Sequence, residues 1–188
     1  MNDRSRTAIV WFRRDLRLDD QPALSAAVGA HDTLLPVYLH DTAEKRWPPG
    51  DAKTWWLARS LERLAESLGR ENLPLVIRRG EPAEVLAELG RAVDASGVYL
   101  TRRPERHRRD AEIIDRLEAT DLTVHAHDGR ILHDPEQVET SSGGPYHVFT
   151  PFWRKFQDVV EVRTPIPAPD LTAINGPDEV PQTLHPSD

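Results

Sequence analysis

Short apolar runs alternate with helix-period stretches along most of the chain, and this alternation limits the possible fold more than any other feature. The apolar runs are Thr7–Phe12, Thr33–Leu39, Pro74–Ile77, Gly97–Leu100 and Leu122–Ala126. Between them, helical spacing covers Pro22–Gly29, Ala52–Leu68, Pro82–Asp94 and Glu105–Ala119. Brief strands that are apolar throughout, each followed by a helix, belong to a parallel sheet covered on both faces. The expected fold is therefore α/β and doubly wound, a five-stranded parallel sheet with helices on both sides.

The helices carry stripes that fit this arrangement. Leu57, Leu61, Leu64 and Leu68 define a core face on the second, and Val85, Leu86, Leu89 and Val93 one on the third. Asp20 is placed to cap the first helix, with Pro22 in its opening turn, and Glu81-Pro82 opens the third. The architecture is Rossmann-like or flavodoxin-like, and it occupies residues 1–162. Residues 163–188 hold six prolines and no aromatic residue. Such a composition builds no core of its own and reads as a linker between domains.

A chain of 188 residues with 38% hydrophobic content supports one such domain. It has no apolar run long enough to cross a membrane, and Met1–Arg4 leads into no signal-type apolar block, so a soluble, cytoplasmic protein is expected. Cysteine is absent, which removes disulfides and thiolate chemistry. A net charge of −7 argues against wrapping a nucleic-acid backbone, since phosphate binding needs clustered cations. The arginines from Arg102 to Arg109 are mixed with Glu105 and Asp110 and read as a solvated helix face.

Ligands of an open α/β sheet sit beyond the carboxyl ends of the strands. The first loop there, Arg13-Arg14-Asp15-Leu16-Arg17-Leu18-Asp19-Asp20, has no glycine, so neither a dinucleotide turn nor a P-loop forms. Its charges read as ion pairs or as ligand contacts by Arg13, Arg14 and Asp15. A second candidate is Trp47 to Trp56. There Lys53 and the indoles of Trp47, Trp55 and Trp56 gather around a helix start. Trp55 points away from the leucine stripe and Trp56 lies at its margin, so Trp55 suits stacking on a planar ring or covering a contact. The histidines show no metal-ligand spacing, and His125 and His127 read as polar surface at a strand end. The pair Asp19-Asp20 reads as helix capping rather than an acid/base dyad. No catalytic residue and no metal site is expected.

The string WFRRDLRLDDQPAL, Trp11 to Leu24, resembles the opening motif of the DNA photolyase/cryptochrome family, with Gln21 where Asn is usual. The resemblance continues through LLPVYLHD (Leu34–Asp41), WWLARSLERL (Trp55–Leu64), LVIRRGEP (Leu75–Pro82), DGRILHDPEQV (Asp128–Val138) and GPYHVFTPFWRKF (Gly144–Phe156). It implies the N-terminal antenna domain of such a protein. That domain binds a light-harvesting chromophore, a methenyl-folate, an 8-hydroxy-deazaflavin or FMN, near Trp47, Lys53, Trp55 and Trp56. Its partner is a helical FAD-binding domain, and FAD and damaged DNA are met only through that partner.

In folate-binding members an Asn with an acidic neighbour follows the fourth strand. Here Thr101-Arg102-Arg103-Pro104-Glu105 supplies only Glu105, which leaves the chromophore open. The resemblance further implies that the Tyr146–Phe156 aromatics dock the two domains. A parent photolyase would be a carbon-carbon lyase acting in DNA repair, and these residues alone would be inactive. A cryptochrome photoreceptor, or a stand-alone binding domain, is the alternative.

Overall fold

The computed structural model describes residues 7–42, 50–129, 131–133 and 137–186. Five strands form one parallel sheet: β1 (Thr7–Phe12), β2 (Leu34–Asp41), β3 (Val76–Gly80), β4 (Ala95–Thr101) and β5 (Thr123–His127). Four helices connect them: α1 (Pro22–Ala30), α2 (Asp51–Gly69), α3 (Pro82–Ala92) and α4 (His107–Glu118), and α5 (Phe149–Val159) follows β5. The strand order is β3-β2-β1-β4-β5. The order therefore reverses between β1 and β4, which makes their carboxyl ends the switch point of this doubly wound sheet.

Alternation along β1 explains the two cores. Ala8, Val10 and Phe12 face a layer that includes Leu24 of α1 and Leu61, Leu64 and Leu68 of α2. Ile9 and Trp11 face the opposite layer, with Leu86 and Leu89 of α3 and Ile113 and Leu117 of α4. Every residue of β1 is buried, as a central parallel strand requires. Close packing also fixes Gly90 in the body of α3, where a Cβ would meet a methyl carbon of Leu122 at 2.9 Å.

Several boundaries move for identifiable reasons. β3 begins at Val76 and runs on to Gly80, because its ladder with β2 continues as far as Asp41. Pro104 imposes a tight turn, Pro104–Arg106, before α4 begins at His107. Gln21, and not Asp20, caps α1 by accepting from the Ala23 N–H at 3.3 Å. Asp20 has φ of 48°, a left-handed conformation that turns its side chain away from the helix start. Trp56 is 69% exposed and so stands clear of the core margin where the helical spacing placed it.

His125 and His127 are not ordinary surface. Both lie half-buried on the face of β5 that meets β4, where the Tyr99 ring stacks on His125 with centroids 4.4 Å apart and lies parallel to His127 at 6.1 Å. His31 Nε2 and the Tyr99 hydroxyl share a hydrogen bond of 3.1 Å. Burial lowers the proton affinity of both imidazoles. His31 adds to the effect on His125, while His125 and Arg102 add to that on His127 against a small opposing contribution from Asp128.

The proline-rich tail is held on the domain at successive points. Leu171 and Ile174 enter the α1/α2 core. The Leu34 N–H donates to the Asn175 carbonyl and the Asn175 N–H to the Asp32 carbonyl, both at 2.9 Å. Further on, the Leu184 N–H donates to the Ile77 carbonyl and the Ile77 N–H to Thr183 Oγ1. The segment builds no core alone, yet it supplies side chains to one.

Two expectations follow. Leu171→Ala should cost about 2–4 kcal/mol of unfolding free energy in urea titration, the range for emptying a buried leucine site. Because the native state keeps His125 and His127 neutral, their contribution is complete above the unfolded-state value of about 6.5 and declines as pH falls below it. The urea midpoint should therefore drop between about pH 7.5 and about pH 5.5, and a His125→Gln/His127→Gln double variant should flatten that dependence.

Candidate functional site

The loop that leaves β1 at the switch point is built around a buried carboxylate. Asp110, near the start of α4, is 6% exposed and lies on the same helical face as Ile113 and Leu117. Two guanidinium groups converge on it. Arg13 donates through Nη1 to Oδ1 at 2.8 Å, while Arg103 donates through Nη2 and Nε to Oδ1 at 2.7 and 3.1 Å and through its backbone N–H to Oδ2 at 3.1 Å. Arg13 also donates to the Thr101 carbonyl and lies over the Trp11 ring, 4.7 Å from its centroid.

Burial disfavours an ionised Asp110, but the hydrogen bonds and charges of Arg103 and Arg13 outweigh it, and the carboxyl stays below its ordinary range. For Arg13, burial comes first and lowers its value, with Asp110 acting the other way. Such pairs bring little net stability, but removal of one member leaves an uncompensated buried charge.

The remaining motif residues each tie down a different segment. Asp15, 3% exposed, accepts from the Arg13 N–H at 3.0 Å and from Gln21 Nε2 at 2.7 Å. Gln21 Oε1 in turn accepts from Thr101 Oγ1 at 3.0 Å, which ties the start of α1 to the end of β4. Arg14 reaches Glu105 at 3.1 Å in an exposed pair. Arg17 donates to the carbonyls of Asp20 and Gly129 at 2.8 and 3.2 Å. Asp20 accepts from Arg163 and from the Ile166 N–H, and its own N–H donates to the Ile166 carbonyl at 2.7 Å. At the end of β2, Asp41 is gripped by Arg109 through Nη2 and Nε, at 2.8 and 3.1 Å.

The structure thus places the sequence-derived candidates in two groups. Arg13 and Asp15 lie inside the loop network, with Arg14 and Glu105 paired at its rim. Lys53, Trp55 and Trp56 stand exposed on the first turns of α2. There the two indoles lie 6.4 Å apart and Arg59 sits 5.9 Å from the Trp55 ring. Trp47 lies outside the described residues.

Sequence reasoning placed Asp110, with Arg102–Arg109, on a solvated helix face. That reading needs correction, because Arg103 is 4% exposed and Arg109 is partly buried against Asp41. The readable signal was an aspartate at an apolar-stripe position, three and seven residues before Ile113 and Leu117.

A third feature is α5. Phe149 stacks on Trp153 with centroids 6.1 Å apart, and Trp153 on Phe156 at 5.5 Å, with Phe152 and Tyr146 continuing the array. The helix has no buried residue, and Phe149 and Trp153 are 69% and 44% exposed. Its aromatic residues pack on one another, as their spacing suggests; Phe149 and Trp153 face outward, while Phe152 and Phe156 are half-buried and Phe156 meets the His133 ring edge-on at 6.0 Å. Among the described residues, no helix is long and apolar enough to cross a membrane and no cluster of side chains suits a metal ion.

A family model for DNA photolyase matches residues 8–170. The chain belongs to the DNA photolyase family. It is 38% identical over 176 residues to a deoxyribodipyrimidine photo-lyase of Agrobacterium fabrum, covering 92% of this chain and 36% of the relative. It is also 31% identical over 166 residues to cryptochrome-2 of Arabidopsis thaliana, covering 86% of this chain and 27% of that protein. Among solved structures, a class III photolyase from Agrobacterium tumefaciens superposes with a TM-score of 0.87 at 36% identity, over 97% of this chain and 37% of the other. An archaeal photolyase from Sulfolobus tokodaii, solved with two FAD molecules, shares the fold with a TM-score of 0.68 at 23% identity, over 91% and 37%. The chain spans about a third of the length of the curated relatives it matches, and it corresponds to the family's N-terminal α/β domain.

Within this family domain, Asp110→Asn should cost about 3–5 kcal/mol in denaturant unfolding, because two buried guanidinium groups lose their anion. The exposed change Glu105→Gln should cost under about 1 kcal/mol.

Proposed function

We propose that this chain serves as the light-harvesting antenna domain of a deoxyribodipyrimidine photolyase. The observation that carries the reading is the pair of exposed indoles, Trp55 and Trp56, on the first turns of α2, at the carboxyl end of the sheet where α/β folds take their ligands. Large flat rings left open to water at such a place suit stacking against a planar heteroaromatic group. Family membership selects an antenna chromophore as that group, of the methenyl-folate, 8-hydroxy-deazaflavin or FMN kind.

The donor set fits one mode of binding better than another. Thr101 and Arg103, at the end of β4, are buried and occupied within the loop network, so the polar grip seen after that strand in folate-binding members is not duplicated. Polar contacts fall instead to Lys53, Arg14 and Glu105. Trp55 and Trp56 would hold the ring, while Arg13 and Asp15 act as positioning residues that hold the loop beneath Arg14. A bound chromophore of this kind absorbs near-ultraviolet or blue light and passes its excitation to a nearby flavin. The chain's own residues stack, orient and shield it.

The partner in this reading is a helical FAD-binding domain, met by the aromatic face of α5, with residues 163–188 as the linker toward it. Damaged DNA would be met through that domain and not through a surface of net charge −7. Cryptochrome photoreception is the second reading, supported by the Arabidopsis relative. The residues that separate repair from signalling are expected in the part of those relatives that this chain does not match.

Titration of the purified chain with 5,10-methenyltetrahydrofolate, 8-hydroxy-deazaflavin and FMN, followed by absorbance and fluorescence, tests the reading. Saturable binding of one of them is expected, weakened about tenfold in Trp55→Ala, which corresponds to about 1.4 kcal/mol of stacking. Absence of binding by all three would leave the antenna reading without support, and undiminished affinity in Trp55→Ala would move the site elsewhere.

A further inference from the structure

Two bonds of the β1 loop meet chain segments that are far apart in sequence but bracket one feature. Arg17 Nη2 donates to the Gly129 carbonyl at 3.2 Å, just after β5 and ahead of the aromatic segment. Asp20 binds Arg163 and pairs in both directions with the Ile166 backbone, just after α5. The two residues are themselves joined, because Arg17 Nη2 also donates to the Asp20 carbonyl at 2.8 Å. Departure from β5 and return after α5 are thus pinned to adjacent points of a single loop.

From this geometry we infer that Arg17 and Asp20 form a clasp that closes the segment between Gly129 and Arg163 and sets the pose in which α5 presents its aromatic face. Packing beneath the helix is slight, since no residue of α5 is fully buried and its described ring contact with the rest of the domain is Phe156 against His133 at 6.0 Å. Holding the segment that carries the helix at Gly129 and at Arg163 and Ile166 adds to that contact in limiting how α5 can turn. The left-handed conformation of Asp20 is part of the device, because it directs the side chain and the N–H together toward Ile166. The Arg163 hydrogen bond, with that of the Ile166 N–H, also holds the Asp20 carboxyl below its ordinary range. Arg17 and Asp20 are positioning residues in this scheme. The value of the pose to a partner rests on the docking reading of α5 above, but the clasp itself is a property of this chain.

Residue-resolved amide hydrogen exchange on the 188-residue chain tests it. Asp20→Ala should accelerate exchange at Ile166 and at Val160, whose N–H closes the last turn of α5, by ~10-fold or more. Amides in the β1–β4 ladder should keep their wild-type rates. Asp20→Asn, which keeps an acceptor for Ile166 and tolerates the left-handed backbone, should fall between wild type and Ala. Arg17→Met keeps the aliphatic stem but removes the donors to the Asp20 and Gly129 carbonyls, and should loosen the α5 amides without opening Ile166. Equal acceleration in the β1–β4 ladder would mean general destabilisation and would overturn the clasp, as would an unchanged α5. The antenna reading fails by a different measurement, since chromophore binding at Trp55 plays no part in these rates.

Discussion

One buried carboxylate organises the carboxyl end of this sheet. Asp110 occupies a position on α4 that Ile113 and Leu117 mark as core, and it is tolerable there only because Arg13 and Arg103 both reach it. The three charges come from the β1 loop, the end of β4 and the start of α4, which meet where the strand order reverses. A helix packed on a sheet could slide along its axis with small loss of apolar contact. A shared carboxylate with directed hydrogen bonds fixes the register. Everything at the ligand end of the sheet takes its place from that register, including the Arg109 grip on Asp41 and the rim pair of Arg14 with Glu105.

The opening motif of the family therefore serves, in this chain, as a junction more than as a binding surface. Its charged residues reach α4, the end of β4, the loop after β5 and the segment after α5, and each bond crosses a large sequence distance. Gln21 illustrates how closely the loop is fitted. Its amide caps α1, bonds the carboxylate of Asp15 and accepts from Thr101. A longer side chain at a position where the family usually has Asn is thus fully used.

How much of this was legible beforehand depends on the range of the interaction. The sheet and its helices follow from local period and from the all-apolar strands, and their ends moved where pairing or a proline decided them, as at Gly80 and Pro104, and where the backbone turns left-handed, as at Asp94 beyond α3. The candidate site was harder, because its partners lie far apart in sequence. Arg13 and Asp110 show no mutual spacing, and nothing around Asp20 announces Arg163. Stacking of Tyr99 on His125 escaped for a related reason, since cross-strand neighbours depend on strand order. Trp55 was legible because a single helix face and its leucine stripe suffice to show which side a residue takes.

The tail that binds back to the domain has a mechanical consequence. Its anchors at Ile166, Asn175 and Leu184 lie in sequence along one strand of chain and meet the α1 entrance, the start of β2 and the β3 edge in turn. A pull at its carboxyl end loads the Leu184 contact with Ile77 first and reaches Asn175 only after that contact has parted. Load is relieved by peeling, one small barrier at a time, with the buried side chains of Leu171 and Ile174 yielding before the Asp20 bonds to Ile166 and Arg163 are reached. The domain is in this sense spring-mounted, able to yield outward tail while its ligand end keeps its geometry.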